Sequence, residues 1–405
     1  MKRRRRSGSP AGGIGRRDVL VALASSAAGL GGGVAWTRND PPMASGSGVP
    51  PVGTAVVAAS DASKELQAAA DYVCSGQRDE RQIQQAIESC GPGGMVLLTP
   101  GTFMISRPIR LTSRVALQGV GRATVLRPSD LGEATDGSRP GGVIELENGS
   151  THRTALRYLT IDGGPEQAAC KGLYYNVDAF SSRQETGPDP LHIIEDVHVL
   201  RTAAPGVHLT GGSHRTSRMA GVRVFLTGGG AAPVPGLLLE CYDSFLTDCD
   251  SGASSGDGIR LLGSNNRLTG CKGWYSRRNG FYVEGVRNQF AACESQDNAR
   301  NGFYIAAGPN SFVGCHADSN SRPEAGGQRG AFDGFHLPFS ESVQCVGCQS
   351  YDRREKGSAT QRYGFYIGEG SRDCQVIGIA RHNAVAPTGG DGVKSPGMLV
   401  TVAGR

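Results

Sequence analysis

The chain has 405 residues, 61 of them Gly and 21 Pro, yet 38% are apolar and only 20% are charged. That balance excludes intrinsic disorder, and glycines without a three-residue period exclude collagen. The formal charge of +5 sits in an N-terminal arm: residues 1–17 hold seven basic groups and no acid. The remaining 35 basic groups face 37 acidic ones and show no basic stripe, which argues against nucleic acid as a partner.

In chain order, Arg16-Arg17-Asp18 leads into a weakly apolar stretch from Val19 to Trp36. A basic region followed by such a run predicts a signal peptide over 1–36. The arginine pair resembles the twin-arginine (Tat) export signal, although Gly15 and Asp18 depart from its usual flanks. That resemblance implies passage through the Tat export machinery to a periplasmic or extracellular location, with no stable membrane partner after cleavage. A retained anchor is the alternative, weakened by Gly29, Gly31, Gly32 and Gly33. Residues 37–64 read as a linker, 65–390 as one folded domain and 391–405 as a C-terminal tail.

The spacing of Ile83, Ala86, Ile87 and Cys90 predicts one buried helix face, with Asp79 as N-cap and Gly91-Pro-Gly-Gly as the stop. Short strands are expected at Met95 to Leu98, Phe103 to Ile105, Ile109 to Leu111, Val115 to Leu117 and Val125 to Arg127. Farther on, a repeat takes over. Phrases beginning Gly236-Leu-Leu-Leu, Gly258-Ile-Arg-Leu, Gly280-Phe-Tyr-Val and Gly302-Phe-Tyr-Ile start 22 residues apart, and Gly334-Phe-His-Leu and Gly364-Phe-Tyr-Ile follow at 32 and 30. Cys249, Cys271, Cys293 and Cys315 each lie thirteen residues after their Gly, and Cys348 lies fourteen after Gly334. A unit this short cannot bury its apolar face alone, but stacked units can, so regular coils over 236–380 predict a solenoid with an N-terminal capping helix.

Alternation within each phrase sends Ile259 and Leu261, Phe281 and Val283, and their equivalents inward. The cysteines then stack inward at about 4.8 Å per coil, a column of buried thiols rather than disulfides. Cys74 and Cys90 lie outside the column and are left open to pair, and Cys345-x-x-Cys348 stands without the second pair a zinc site needs. Asp257, Asn279, Asn301 and Asp333 occupy one turn position and predict a hydrogen-bonded turn stack.

Ala70-Asp-Tyr-Val-Cys-Ser-Gly-Gln-Arg-Asp, Gly-Gly-Met-Val-Leu-Leu-Thr-Pro-Gly-Thr-Phe103, Val115-Ala-Leu-Gln-Gly-Val-Gly121 and Leu159-Thr-Ile-Asp-Gly163 resemble the pectate-lyase-like superfamily. The resemblance implies an all-β fold, a single-stranded right-handed parallel β-helix. It covers polysaccharide lyases, glycoside hydrolases, uronan epimerases and non-catalytic members, so it does not select an activity. No family's catalytic set carries over: Gly256-Asp257-Gly258 lacks the second Asp of polygalacturonase-like hydrolases, and Asp333-Gly-Phe-His336 only echoes the epimerase Asp-Pro-His.

Outward positions of the Gly-led strands are Leu238, Arg260, Tyr282, Tyr304, His336 and Tyr366, with Glu240 and Glu284 two residues on. An aromatic row of this kind offers a platform on which sugar rings stack. Arg260, Tyr282, Tyr366 and Asp257 are the expected substrate-binding residues, with Arg260 matching a uronate carboxylate. His336, Tyr304, Asp333 and Glu284 are the catalytic candidates, His336 or a Tyr moving a proton with Glu284, Asp257 or Asp333 as its carboxylate partner. The expectation is lyase-type β-elimination on an acidic polysaccharide, with His336 or Tyr304 as base. Hydrolysis by Glu284 and Asp333, epimerisation, and non-catalytic glycan binding or a cell-surface structural role are the alternatives. A second outward column, Asp250, Lys272, Glu294, His316 and Gln349, reads as a solvated salt ladder, though Asp248 and Asp250 share a face that could hold Ca²⁺. Insertions at Ser321 to Phe332 and Arg353 to Arg362 flank the His336 coil.

Overall fold

The computed structural model describes residues 53–129, 131, 140–177, 191–212, 214, 217–323, 328–354 and 357–404. The expected signal peptide and most of the expected linker lie outside them. In the 22-residue coils the Gly-led strands are three residues long and alternate strictly: in Ile259–Leu261, Phe281–Val283 and Phe303–Ile305 the outer residues are buried and the middle one half-buried. Each pairs in parallel with its equivalent one coil on. Among the described residues eleven parallel strands of three to seven residues, from Ile109–Leu111 to Ala386–Gly389, form one wall of a right-handed parallel β-helix. Strands such as Arg267–Thr269 and Lys272–Trp274 build the second and third walls. These two walls fuse where Thr154–Asp162, His192–Leu200 and Val343–Tyr351 run through the corner between them.

That corner is one residue with positive φ, filled in turn by Asp248, Gly270, Ala292, Gly314 and Gly347. Its amide still donates to the next coil, so the ladder is not interrupted: Gly270 N–H reaches Ala291 O at 2.9 Å and Ala292 N–H reaches Val313 O at 2.9 Å. The glycine that opens each phrase has a packing reason. A Cβ on Gly280 would lie 2.0 Å from Ser295 Oγ, and one on Gly334 would lie 2.0 Å from Ser350 Oγ.

Columns of identical side chains fill the core. Phe281, Phe303, Phe335 and Phe365 stack at 4.7, 4.7 and 4.9 Å between ring centroids, and Phe290 stacks on Phe312 at 4.4 Å. All eleven cysteines are free and buried, so Cys74 and Cys90 do not pair. The thiol column forms as expected, each Sγ donating one coil back: Cys293 to Leu268 O at 3.4 Å and Cys348 to Phe312 O at 3.4 Å. The predicted turn stack is present, with Asn279 Oδ1 accepting from Asn301 N–H at 3.2 Å and Asn301 Oδ1 from Asp333 N–H at 2.8 Å. Two further ladders occupy other turns, Asn266–Asn288–Asn310 and Asn298–Asn320–Gln361.

At the N-terminal end, the helix Glu80–Cys90 covers the first coils with Ile83, Ala86, Ile87 and Cys90 buried. Asp79 does not cap it. Its carboxylate accepts instead from Gly76 N–H at 2.9 Å and Met104 N–H at 2.8 Å, tying the helix start to strand Gly101–Ile105. Two boundaries also differ from expectation. Strand Thr54–Ala58 lies inside the expected linker yet is buried and paired with Met95–Leu98. Strand Leu399–Gly404, in the expected tail, pairs with Gln375–Arg381. Among the described residues no helix is long and apolar enough to cross a membrane.

Candidate functional site

The outward residues of the eleven-stranded wall form one line. Strand register places Tyr174, His208, Leu238, Arg260, Tyr282, Tyr304, His336 and Tyr366 in successive coils. The predicted residues Arg260, Tyr282, Tyr304, His336 and Tyr366 therefore share one row. Their geometry differs from the expected platform. Tyr282 and Tyr304 stack at 5.3 Å and 5°, Tyr304 and His336 at 5.2 Å and 12°, and His336 and Tyr366 at 4.6 Å and 7°. Arg260 covers Tyr282 with Cζ 4.6 Å from the ring centre, and Arg362 covers Tyr366 at 4.9 Å. The ring faces meet each other, so a ligand meets hydroxyls and ring edges repeated about every 5 Å along the axis. The row is a comb of hydrogen-bonding groups, not a stacking surface.

Asp333 is fully buried beneath His336. Its carboxylate accepts from His336 Nδ1 at 2.6 Å, from Arg362 Nε and Nη2 at 2.9 and 2.8 Å, and from Tyr363 N–H at 3.1 Å. The carboxylate hydrogen bond raises the Arg362 guanidinium above its ordinary range. A carboxylate beside Nδ1 fixes the proton there and leaves Nε2 of His336 as a base. Asp333 thus sits under the row as a positioning group for His336. Asp257, expected to bind substrate, is instead buried: it accepts from Asn279 N–H at 3.1 Å and Nδ2 at 2.8 Å, and lies 3.9 Å from Arg260. Burial pushes its carboxyl up.

Glu284 is exposed and accepts from the Tyr282 hydroxyl at 3.2 Å. Burial and then this carboxylate raise the Tyr282 phenol. Glu284 and Asp333 stand two coils apart, roughly 10 Å, one of them inaccessible, which does not make the pair of exposed carboxyls that hydrolysis needs.

The row extends into the first half of the chain, where the sequence reading placed no candidate. Lys171 Nζ lies 3.7 Å above the Tyr174 ring, Tyr174 meets His208 at 5.1 Å, and His208 Nε2 lies 2.8 Å from Glu240 Oε2. Burial alone would raise the Glu240 carboxyl, but the hydrogen bonds from His208 and Thr210 prevail and hold it low. A signal existed: Gly172-Leu-Tyr174 and Gly206-Val-His208 repeat the Gly-led phrase. They lack the 22-residue spacing and the trailing Cys.

The second column stacks in the expected register. Lys272 Nζ reaches Glu294 at 3.1 Å and Gln296 at 2.6 Å, while Arg223 bridges Asp248 at 3.1 Å and Asp250 at 3.2 Å. The two carboxylates suggested for Ca²⁺ thus share one guanidinium, which occupies the space between them. The two insertions pack on each other, Gly330 N–H donating to Thr360 O at 2.7 Å and Arg362 N–H to Phe332 O at 2.7 Å, and the second delivers Arg362 to the row.

No protein-family model matches the chain, and no curated protein matches it in sequence. Solved structures do. The mannuronan C-5 epimerase A-module of Azotobacter vinelandii superposes with a TM-score of 0.61 at 16% identity, over 82% of this chain and 93% of that one. The enzymatically active domain of tailspike protein 2 from bacteriophage CBA120 gives 0.55 at 15% identity, over 74% of this chain and 44% of that one. The N-terminal fragment of bacteriophage Phi29 gene product 12 gives 0.51 at 15%, over 82% and 65%. The chain thus spans most of the epimerase module but under two thirds of either phage protein. At these identities the likeness establishes the parallel β-helix fold.

Proposed function

We propose that the protein binds an acidic, uronate-containing polysaccharide along the outward row and removes the C5 proton of a bound uronate, with β-elimination as the outcome. One observation carries this reading: His336, its Nδ1 held by buried Asp333, stands within a row of hydroxyl edges. Nε2 takes the C5 proton, the electron pair forms the C4–C5 double bond, and the bond from C4 to the glycosidic oxygen breaks. Tyr304, one coil away, returns a proton to the leaving oxygen. Arg362 is a cation at this centre, and its Nη1 is not engaged by Asp333. Arg260 lies three coils from His336, roughly 14 Å, and so pairs with the carboxylate of another sugar. A second reading, epimerisation, shares the first step, and the likeness to a mannuronan epimerase module favours it.

Incubation with acidic and neutral polysaccharides in D₂O, read by mass spectrometry and NMR, tests the proposal. Unsaturated fragments support elimination, and C5 deuterium in uncleaved chains supports epimerisation. Saturated fragments, or unlabelled intact chains throughout, overturn proton abstraction, the latter in favour of glycan binding alone. The reading includes export. Replacing Arg16 and Arg17 together by Lys is expected to trap the protein in the cytoplasm, checked by cell fractionation, and unchanged export would exclude the Tat route.

A further inference from the structure

Beneath the first-half part of the row, the β-helix interior holds polar atoms that the packing leaves unanswered. Tyr175, chain neighbour of the outward Tyr174, points inward and is fully buried, as are His192 and His214. Rings of Tyr175 and His192 lie 5.2 Å apart, and those of His192 and His214 lie 5.9 Å apart, both edge-on. Each imidazole has one nitrogen committed: His192 Nδ1 to Thr154 Oγ1 at 2.9 Å, and His214 Nε2 to the Thr210 carbonyl at 3.0 Å. A carbonyl only accepts, so Nε2 of His214 carries its proton and Nδ1 is a bare lone pair. Among the described residues, His214 Nδ1 and His192 Nε2 have no hydrogen-bond partner, and Tyr175 Oη has none beyond the nearby Thr154. All three side chains line one small cavity of about 10 Å³, whose other walls are apolar groups such as Ile194, Leu209 and Leu246 together with Ser217, Arg218 and Ser244.

Three unanswered polar groups around one void are unusual in a folded interior and call for a single shared occupant. We infer that this cavity is an internal binding site for one water molecule, held by Tyr175 Oη, His192 Nε2 and His214 Nδ1. The volume matches one water, and three partners lie within the usual two to four. Its bonding balances: Tyr175 donates to the water oxygen, and the two water hydrogens go to the histidine nitrogens, with His192 Nδ1–H donating to Thr154. A metal ion fits worse. Among the described residues no carboxylate or thiolate lines the cavity, so a divalent charge would enter it uncompensated. The water pins strand Lys171–Val177, which carries Lys171 and Tyr174 on its outer side, to the following coil.

The test is a crystal structure of the full chain beyond 1.5 Å, with metal analysis of the same sample and a xenon-pressurised crystal. One water peak within hydrogen-bond reach of all three atoms is expected, with no stoichiometric metal and no xenon. An empty cavity, xenon inside it, or an anomalous metal peak would each overturn the inference. Tyr175→Phe, which keeps the ring, provides a second measurement. Loss of the water peak, or a Tm lower by a few degrees, is expected, and an unchanged peak with unchanged Tm would remove Tyr175 from the site.

Discussion

His336 serves as a base only while Nδ1 keeps its proton, and that depends on Asp333. Asp333→Asn preserves the shape but removes the charge that orders the imidazole and pairs with Arg362. Turnover on whichever uronan is the substrate is expected to fall about 10²-fold or more, with KM changing less. A rate within twofold of wild type would show that the Asp333 charge does not prepare His336 as the base. The dyad was half legible in the sequence, since both residues were singled out three positions apart. What the sequence did not supply is Arg362, which arrives from an insertion 29 residues downstream of Asp333 and closes over the buried carboxylate. Nothing periodic marks such a contact.

Among elements, the coil-to-coil ladders of side-chain amides carry much of the register. Asn288 Oδ1 accepts from Asn266 N–H at 2.8 Å, and its Nδ2 donates to Gly263 O at 3.1 Å. Asn288→Ala leaves both groups buried without partners, so a loss of roughly 3 kcal/mol is expected in urea denaturation. Thr269→Ala, at an exposed strand position, should shift the midpoint negligibly, and equal effects would deny the ladder its role. One ladder was foreseen because Asp257, Asn279, Asn301 and Asp333 recur beside the Gly-led phrases. The other two escaped notice because an Asn that is buried and one that faces water look alike in sequence. Asp79 failed as a cap for a related reason: its side chain found better donors on a strand brought close only by folding.

For the whole molecule, cohesion comes from stacked columns without covalent links. All eleven cysteines are free, so dithiothreitol should leave Tm unchanged, and a fall of several degrees would reveal a disulfide. Acid is expected to act strongly. Burial holds the imidazole of His192 well below its usual range and that of His214 at about 4. The unfolded chain takes up these protons near 6.5 while the folded one does not, so this contribution is intact above about pH 6.5 and is lost as pH falls towards 4. For His214 alone the loss is roughly 3 kcal/mol. Urea midpoints at pH 7 and pH 4.5 check this, and His214→Phe should flatten the difference. A slope unchanged by that substitution would assign the acid sensitivity to other groups.

The sequence by itself determined the solenoid, the inward columns of Phe and Cys, and the common line of Arg260, Tyr282, Tyr304, His336 and Tyr366. A parallel stack repeats the same environment at each coil, so a 22-residue period and a two-residue alternation are enough to specify it. Only the tertiary structure decided what that line offers a ligand. Stacking turned the ring faces onto each other and the edges outward. Arg362 and His336 closed over Asp333, and the irregular coils before the regular repeat added Lys171, Tyr174 and His208 to the row while burying Tyr175, His192 and His214. These outcomes depend on contacts between segments whose spacing repeats nowhere, and pattern carries no information about such contacts until the chain has folded.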